Sequence, residues 1–325
     1  MLSSAFFVRA IVEKLTAGGA RVKHLRLLRY VDEVARRGSI RKAAERLNVT
    51  ASALNRRIQD VEGELGTPIF ERLPRGVRLN AAGELLIRHI RTQLADMSRV
   101  RSQIEDLSGF RRGTVAVACS QALAYHLLPA EVAAYRANHP LVEFDVKVHD
   151  HADALRALAE FEVDLVLVFR PPLMADLQVL SSVQQRVVAL MAATHPLAGK
   201  PVLRLRDCTG HPLALPDRSY GSRQILEEAI ARSSLRLDHA VESNSFEFLR
   251  NLVRFGDAIT FQIEAGAPEA LYERHGLVSR AIDERDIPPA KLVMGQLRGR
   301  PLPVAAAKFA DQLALGLEAG GLATG

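Results

Sequence analysis

A chain of 325 residues with 48% hydrophobic content exceeds what one core usually serves and is apolar enough to build two or three folded units. Its net charge of +6 is uneven: residues 21–112 carry 20 Lys+Arg against 11 Asp+Glu, whereas residues 113–325 carry 21 against 25. Two distant cysteines, Cys119 and Cys208, argue against a disulfide framework and fit a reducing compartment, and no apolar run approaches the ~18 residues that span a bilayer.

Residues 1–23 are expected to be an N-terminal extension rather than a signal peptide, because Arg9 and Glu13 interrupt the apolar stretch and no clean cleavage site follows. Leu27, Leu28, Val31, Val34 and Ala35 then space an amphipathic helix that ends at Gly38, a residue tolerant of positive φ. Ser39 caps a second helix, IRKAAERL, which turns Ala43, Ala44 and Leu47 inward and stops at Asn48. A turn of about three residues leads to TASALNRRIQDVEGELG at 50–66, where Leu54, Ile58, Val61 and Leu65 step by four, three and four along one buried helix face. Ser52, Asn55, Arg56 and Gln59 repeat that spacing on another face. The small alanines let the third helix cross closely, and the arrangement is a helix-turn-helix.

In PIFERLPRGVRLN a Pro-Arg-Gly turn separates Ile69 and Phe70 from the alternating Val77 and Leu79, which points to a short hairpin or wing carrying Arg72, Arg75 and Arg78. Residues 24–80 are expected to be one winged unit. Asn80 can cap a long helix over 81–108, in which Leu86, Ile90, Leu94, Met97, Val100, Ile104 and Leu107 step by a mean of 3.5 residues, a coiled-coil seam. At 1.5 Å per residue the rod is about 40 Å long. One apolar seam implies pairing with a second copy. SGFRRG breaks the helix, with a hinge at 109–113.

Beyond the hinge, short apolar runs (TVAVAC, FDVKV, DLVLVF, VVALMA, PLALP) alternate with helical ones (LLPAEVAAYRANH, ADALRALAEF, SRQILEEAIARS), and KLVMGQL and AAAKFADQLALGL close the chain with a strand and a helix. The alternation predicts an α/β region of parallel sheets covered by helices. Two units are expected, with lobe I at 114–169 and 266–325 and lobe II at 170–265.

From residue 24 onward the chain resembles the LysR-type bacterial transcriptional regulators. GSIRKAAERLNVTASALNRRIQDVEGELGTPIFERLPRGVRLNAAGE carries the resemblance, in the order helix, turn, helix and wing, supported by the long helix and the α/β half. It implies an all-α winged helix-turn-helix DNA-binding domain, a dimerisation helix, a two-lobed periplasmic-binding-protein-like effector domain, no enzymatic activity and no cofactor. The implied partners are double-stranded DNA, a small-molecule effector, a homodimeric or homotetrameric assembly and RNA polymerase; the implied location is cytoplasmic and nucleoid-associated, with no membrane contact. Thr50, Ala51, Asn55, Arg57 and Asn80 depart from residues common in the family, so an operator sequence does not transfer. GDAITF stands where the family has Gly-x-Gly-Ile.

With the third helix in the major groove, Ser52, Asn55, Arg56 and Gln59 would reach base edges, the amides pairing adenine N6/N7 and the arginine forking onto guanine O6/N7. Ala51 starts that helix beside them. Ser39, Lys42, Thr50 and Arg57 would sit near phosphates, and Arg72 and Arg75 in the neighbouring minor groove. An ordinary solvated helix face is the plain alternative; the turn, the wing and the charge split favour DNA.

In the second half, helix N-termini facing a cleft suit a small anion. The candidates follow strands: Ser120, Gln121, Arg170, Ser219, Tyr220, Ser222, Asn244, Ser245 and Thr260. Plain N-capping competes for the serines and surface ion pairing for Arg170. Cys119 and Cys208 read as buried structural residues. His149 and His151 would share a strand face but lack a third metal ligand, and there is no G-x-S-x-G elbow, GK[ST] loop or H-E-x-x-H. A solute-binding protein or enzyme on the same two-lobed plan would leave the basic first third without a purpose. A nucleoid-type protein that binds DNA without an effector stays open.

Overall fold

The structure, a computed structural model, describes residues 23–107, 112–172, 175–233, 235–236, 239–268 and 272–321. The N-terminal extension, apart from Lys23, and hinge residues 109–111 lie outside them. The chain divides into two compact units, Met1–Arg112 and Gly113–Gly325.

The first unit contains α1 (Lys23–Arg37), α2 (Ile40–Leu47), α3 (Ala51–Leu65), a hairpin of β1 (Phe70–Leu73) and β2 (Gly76–Leu79), and the long α4 (Ala81–Leu107). Local signals set these boundaries. Gly38 leaves α1 at φ 58. Ser39 caps α2 by accepting from the Lys42 N–H, and Asn48 closes it in the left-handed region. Thr50 caps α3 through the Ala53 N–H, and Asn80 Oδ1 accepts from the Gly83 N–H at 2.9 Å to start α4. Val31, Val34, Ala43, Ala44, Leu54, Ile58, Ile69, Ile87 and Ile90 form the core, each at most 3% exposed. Burial at that level stabilises by about 1.5–3 kcal/mol per large aliphatic side chain.

Two expectations are corrected here. Leu65, the last member of the α3 stripe, is 47% exposed, because it lies at the helix end, beyond the reach of the core. The seam of α4 is not wholly available to a partner: Ile90 is buried and Leu86 and Leu94 pack on the winged unit's own core, while Met97 and Ile104 are partly exposed and Val100 is 39% exposed. An apolar stripe stepping by 3.5 is nearly the stripe of a straight amphipathic helix, and its first turns are spent inside the monomer. An ion pair of Arg91 with Asp32 at 2.8 Å, both under 15% exposed, fixes α4 to α1.

The second unit runs β3 (Gly113–Cys119), α5 (Gln121–Ala124), α6 (Leu127–Asn138), β4 (Val142–Val148), α7 (His151–Ala159), β5 (Leu165–Phe169), β6 (Leu177–Gln185), β7 (Val187–Ala192), β8 (Val202–Leu203), β9 (Leu213–Pro216), α8 (Gly221–Ala231), β10 (His239–Ser243), α9 (Phe246–Arg254), β11 (Thr260–Ile263), β12 (Leu277–Ile282), β13 (Ala290–Leu297) and α10 (Val304–Gly321). One sheet has the order β4-β3-β5-β13-β6 and a second the order β11-β7-β12-β8, with β9 and β10 paired beside it through a bridge from Leu213 to Ile259. β3 is parallel to β4 and β5, whereas β13 is antiparallel to β5 and β6, and β7 is antiparallel to β11 and β12.

The sheets are therefore mixed, not parallel throughout. The chain changes sheet at Arg186, which alone separates β6 from β7. The lobe boundaries shift with it. β6, placed in lobe II by sequence, belongs to the first sheet, and β12, placed in lobe I, belongs to the second.

Candidate nucleic-acid interface and ligand pocket

The polar face of α3 stands out from the winged unit because Leu54 and Ile58 hold the opposite face, at 0% and 1% exposure. Ala51, Ser52, Arg56, Arg57 and Gln59 are exposed and Asn55 is half-buried. Arg56, Gln59 and Arg75 make no hydrogen bond or ion pair among the described residues, so their donors remain available. Arg57 reaches Asp60 at 3.5 Å across an exposed turn. Ser39 and Thr50 accept backbone N–H groups as caps, and the Thr50 hydroxyl also lies 3.3 Å from that of Ser52.

The wing alters one expectation. Phe70 and Arg72 share the face of β1 opposite Leu79 and Val77, and this face turns toward α3. Arg72 Nη2 accordingly donates to Asn55 Oδ1 at 2.9 Å, so Arg72 orients a helix amide instead of projecting from the wing. Arg78 is tied to Glu71 at 2.7 Å. Arg75 at the turn is the wing arginine left projecting. The wing's position is set by Gly76, at φ 144: a Cβ there would lie 2.2 Å from the Gly38 carbonyl oxygen, which accepts from the Val77 N–H at 2.8 Å. Glu62 of α3 accepts from the Ile69 and Phe70 N–H groups and anchors the wing's start.

In the second unit the C-terminal ends of parallel strands converge on a small pocket, the usual ligand position in such sheets. Ser120 follows β3, His151 opens α7 after β4, and Tyr220, Gly221 and Ser222 follow β9, with Ala122, Phe169, Phe246 and Ile263 as apolar walls. The space between them is about 20 Å³, room for one water. A larger ligand needs the walls to part. Ser120 Oγ and His151 Nδ1 are buried without a partner. The start of α8 has no side-chain cap, and its Gly221 sits so close to the Phe169 carbonyl that a Cβ would lie 2.8 Å from that oxygen. Uncapped N–H groups at the end of an eleven-residue helix present a positive dipole to the pocket. Gln121 Oε1 accepts from the Phe246 N–H and bridges the two walls. Burial, then Asp150 and Asp217, pushes the Tyr220 hydroxyl above its ordinary value and keeps it protonated.

Of the expected contacts, Ser120, Tyr220 and Ser222 come together and Gln121 lies beside them. The others do not. Arg170 forms two 2.8 Å bonds with Glu228, which hold that carboxyl below its usual range. The Ser219 N–H donates to Asp217, the Asn244 carbonyl accepts from Tyr220, and Ser245 caps α9 through Phe248. Thr260 faces the other side of β11: its register partner Leu190 belongs to the layer under α9, whereas Phe261 and Ile263 face the main core. Sequence reasoning missed His151 as a pocket residue. It treated His149 and His151 as neighbours on a strand, yet His149 lies in the loop after β4 and His151 is the first helical residue behind the Asp150 cap. The Asp-His-x-Asp capping pattern was the available signal.

Burial pushes both the Cys119 and the Cys208 thiols up to about 12, which makes them inert. Among the described residues no three His, Cys, Asp or Glu side chains are arranged to hold a metal, and no helix is long and apolar enough to cross a membrane. A wider groove of about 840 Å³ runs past His126, Arg186, Glu264, Arg280 and Leu317 and contains none of the expected contacts.

Residues 25–84 match the family model described as bacterial regulatory helix-turn-helix protein, lysR family, and residues 108–317 match LysR substrate binding domain. The probable RuBisCO transcriptional regulator of Emiliania huxleyi is 25% identical over 240 residues, 72% of this chain and 76% of its own. The transcriptional dual regulator GltC of Bacillus subtilis is 27% identical over 242 residues, 74% of this chain and 81% of its own. Among solved structures, a full-length OxyR variant from Pseudomonas aeruginosa matches with a TM-score of 0.69 at 22% identity, covering 90% of this chain and 94% of that one. Full-length CbnR complexed with its target DNA matches with a TM-score of 0.53 at 18% identity, covering 90% and 99%. At these identities the two structures show the fold.

Proposed function

The chain belongs to the LysR family of DNA-binding transcriptional regulators, with a helix-turn-helix domain and a substrate-binding domain, and from that premise we propose how its own residues divide the work. Ser52, Asn55, Arg56 and Gln59 read base edges in the major groove, with Arg72 holding Asn55 in its rotamer. Ser39, Lys42, Thr50, Ala51 and Arg57 lie along the phosphates, and Arg75 reaches the minor groove. The observation that carries this reading is the polar face of α3, where Arg56 and Gln59 are exposed with unpartnered donors, on a helix whose other face is locked into the core.

Met97, Val100 and Ile104, the part of α4 beyond the monomer core, pair with a second copy, giving a homodimer or, as a dimer of dimers, a homotetramer. The effector is a small anion seated between Ser120, His151, Ser222 and the start of α8. Because the space there is about 20 Å³, binding a larger anion favours parted walls and so biases the arrangement of the reading heads. RNA polymerase is the downstream partner, and the protein works in the cytoplasm on the nucleoid. Relatives matched in sequence are regulators, and no turnover is assigned. The test is a nuclease footprint on promoter DNA with and without a panel of small carboxylic acids. The reading requires a protected segment whose extent or bending changes with at least one acid, and Ser120→Ala should abolish that change while leaving the protection.

A further inference from the structure

The face of α9 that packs on β11 carries a buried charge whose carboxylate neighbour lies mostly in solvent. Arg250 is 5% exposed. Its Nη2 donates to Gln262 Oε1 at 3.2 Å and to the Gly266 carbonyl at 3.3 Å, and the guanidinium lies 4.2 Å from the centroid of the Tyr125 ring. The carboxylate that approaches it, Glu247, stays 3.8 Å from Nη1 with a side chain 64% exposed, so solvent screens most of the attraction. A guanidinium cannot shed its proton to escape burial, and burial pushes Arg250 below its ordinary value, with Tyr272 and Glu247 opposing.

Three polar atoms beside this charge are buried without a partner: Arg250 Nε, Thr260 Oγ1 and Gln262 Nε2. Thr260 and Gln262 are two apart on β11 and share the face turned toward α9. The Tyr272 hydroxyl, beside Gln262, donates to the Gly266 carbonyl at 2.8 Å. All three orphans can donate. What completes such a group is an acceptor, and what balances the guanidinium is a negative charge.

We propose that Arg250, Thr260 and Gln262 hold a small monovalent anion of halide size, chloride in ordinary solution, between α9 and β11. Only a small ion suits this layer, in which Leu249, Val253 and Tyr272 are each at most 1% exposed. The site is separate from the Ser120 pocket, which β11 meets with its opposite face through Ile263. It does not depend on the effector assignment. It links the two sheets, because Tyr125, stacked over the guanidinium, follows the same short α5 whose Gln121 holds the start of α9.

The test compares thermal unfolding of the full-length protein in sodium chloride and in sodium gluconate at equal ionic strength, for wild type and for Arg250→Leu. The wild-type midpoint should climb with chloride as mass action requires, and Arg250→Leu should remove the difference between the two salts. Should that variant not fold, Gln262→Leu serves in its place and should shift the chloride dependence to higher concentration. Crystals grown in bromide should show an anomalous peak beside Arg250 Nε. An identical chloride effect in wild type and variant, or bromide crystals with a water at that position, would overturn the proposal.

Discussion

Gly76→Ala should unfold the winged unit selectively. The added Cβ would lie 2.2 Å from the Gly38 carbonyl oxygen, about 1 Å inside an ordinary contact, and both partners are backbone that cannot swing away. The residue also sits at φ 144, where an L side chain costs about 1–3 kcal/mol. Relief requires moving the wing, which breaks the 2.8 Å bond from the Val77 N–H to that carbonyl and leaves a donor and an acceptor unpaired, about 1–3 kcal/mol more. The sum, roughly 2–6 kcal/mol, is a large share of the ~5–15 kcal/mol that stabilises a domain. Gly66→Ala isolates the backbone cost, since Gly66 has φ 67 but nothing within 4 Å of the new Cβ; it should cost about 1 kcal/mol. Hydrogen exchange read over peptides of the winged unit measures both variants. Equal protection in the two would refute the close approach of the wing to Gly38.

Arg56→Ala should cost about 1–3 kcal/mol on the cognate site and relax discrimination at one base pair, whereas Arg57→Ala should weaken all duplexes alike; titrations against single-base variants of the site separate them. Val100→Asp should reduce the oligomer to monomers in sedimentation while leaving the winged unit as stable as before, and Leu94→Asp should destabilise that unit directly, because Leu94 packs on its core. A variant at Val100 that kept its mass would remove α4 from the assembly. Arg204 beside Asp286, aided by the Leu205 N–H, holds that carboxyl below its ordinary range. Its stabilising contribution is whole above the unfolded-chain value of about 3.9 and vanishes as pH falls through the lower folded-state value. The gap in melting temperature between wild type and Asp286→Asn should therefore be constant at neutral pH and close below about pH 4.

The winged unit was legible because each of its boundaries has a local chemical cause. Gly38, Ser39, Asn48 and Asn80 perform the capping or left-handed turn that their side chains favour, and a 3.6-residue period needs no distant partner to be read. What α4 packs against was not legible, since Leu86, Ile90 and Leu94 fit a partner seam and an internal core equally well. In the second unit, fully buried strands such as β5 and β7 announce themselves as apolar runs. β6 does not: its sequence LQVLSSVQQ alternates between partly covered and exposed positions, and its membership of the first sheet depends on pairing with β13 more than a hundred residues away. Long-range pairing also decided the ligand candidates. Nothing near Arg170 announces Glu228, 58 residues on, and the side of β11 that Thr260 faces is fixed by a one-residue choice of register.

The central claim is that α3 distinguishes one duplex from another. Competition binding measures this directly: a labelled promoter fragment bearing the footprinted site is challenged with unlabelled copies of itself or with a scrambled duplex of equal length, at fixed salt. The scrambled duplex should need about a thousand-fold more to displace the protein. Displacement at equal concentrations, for every promoter fragment and with every acid supplied, would contradict the account.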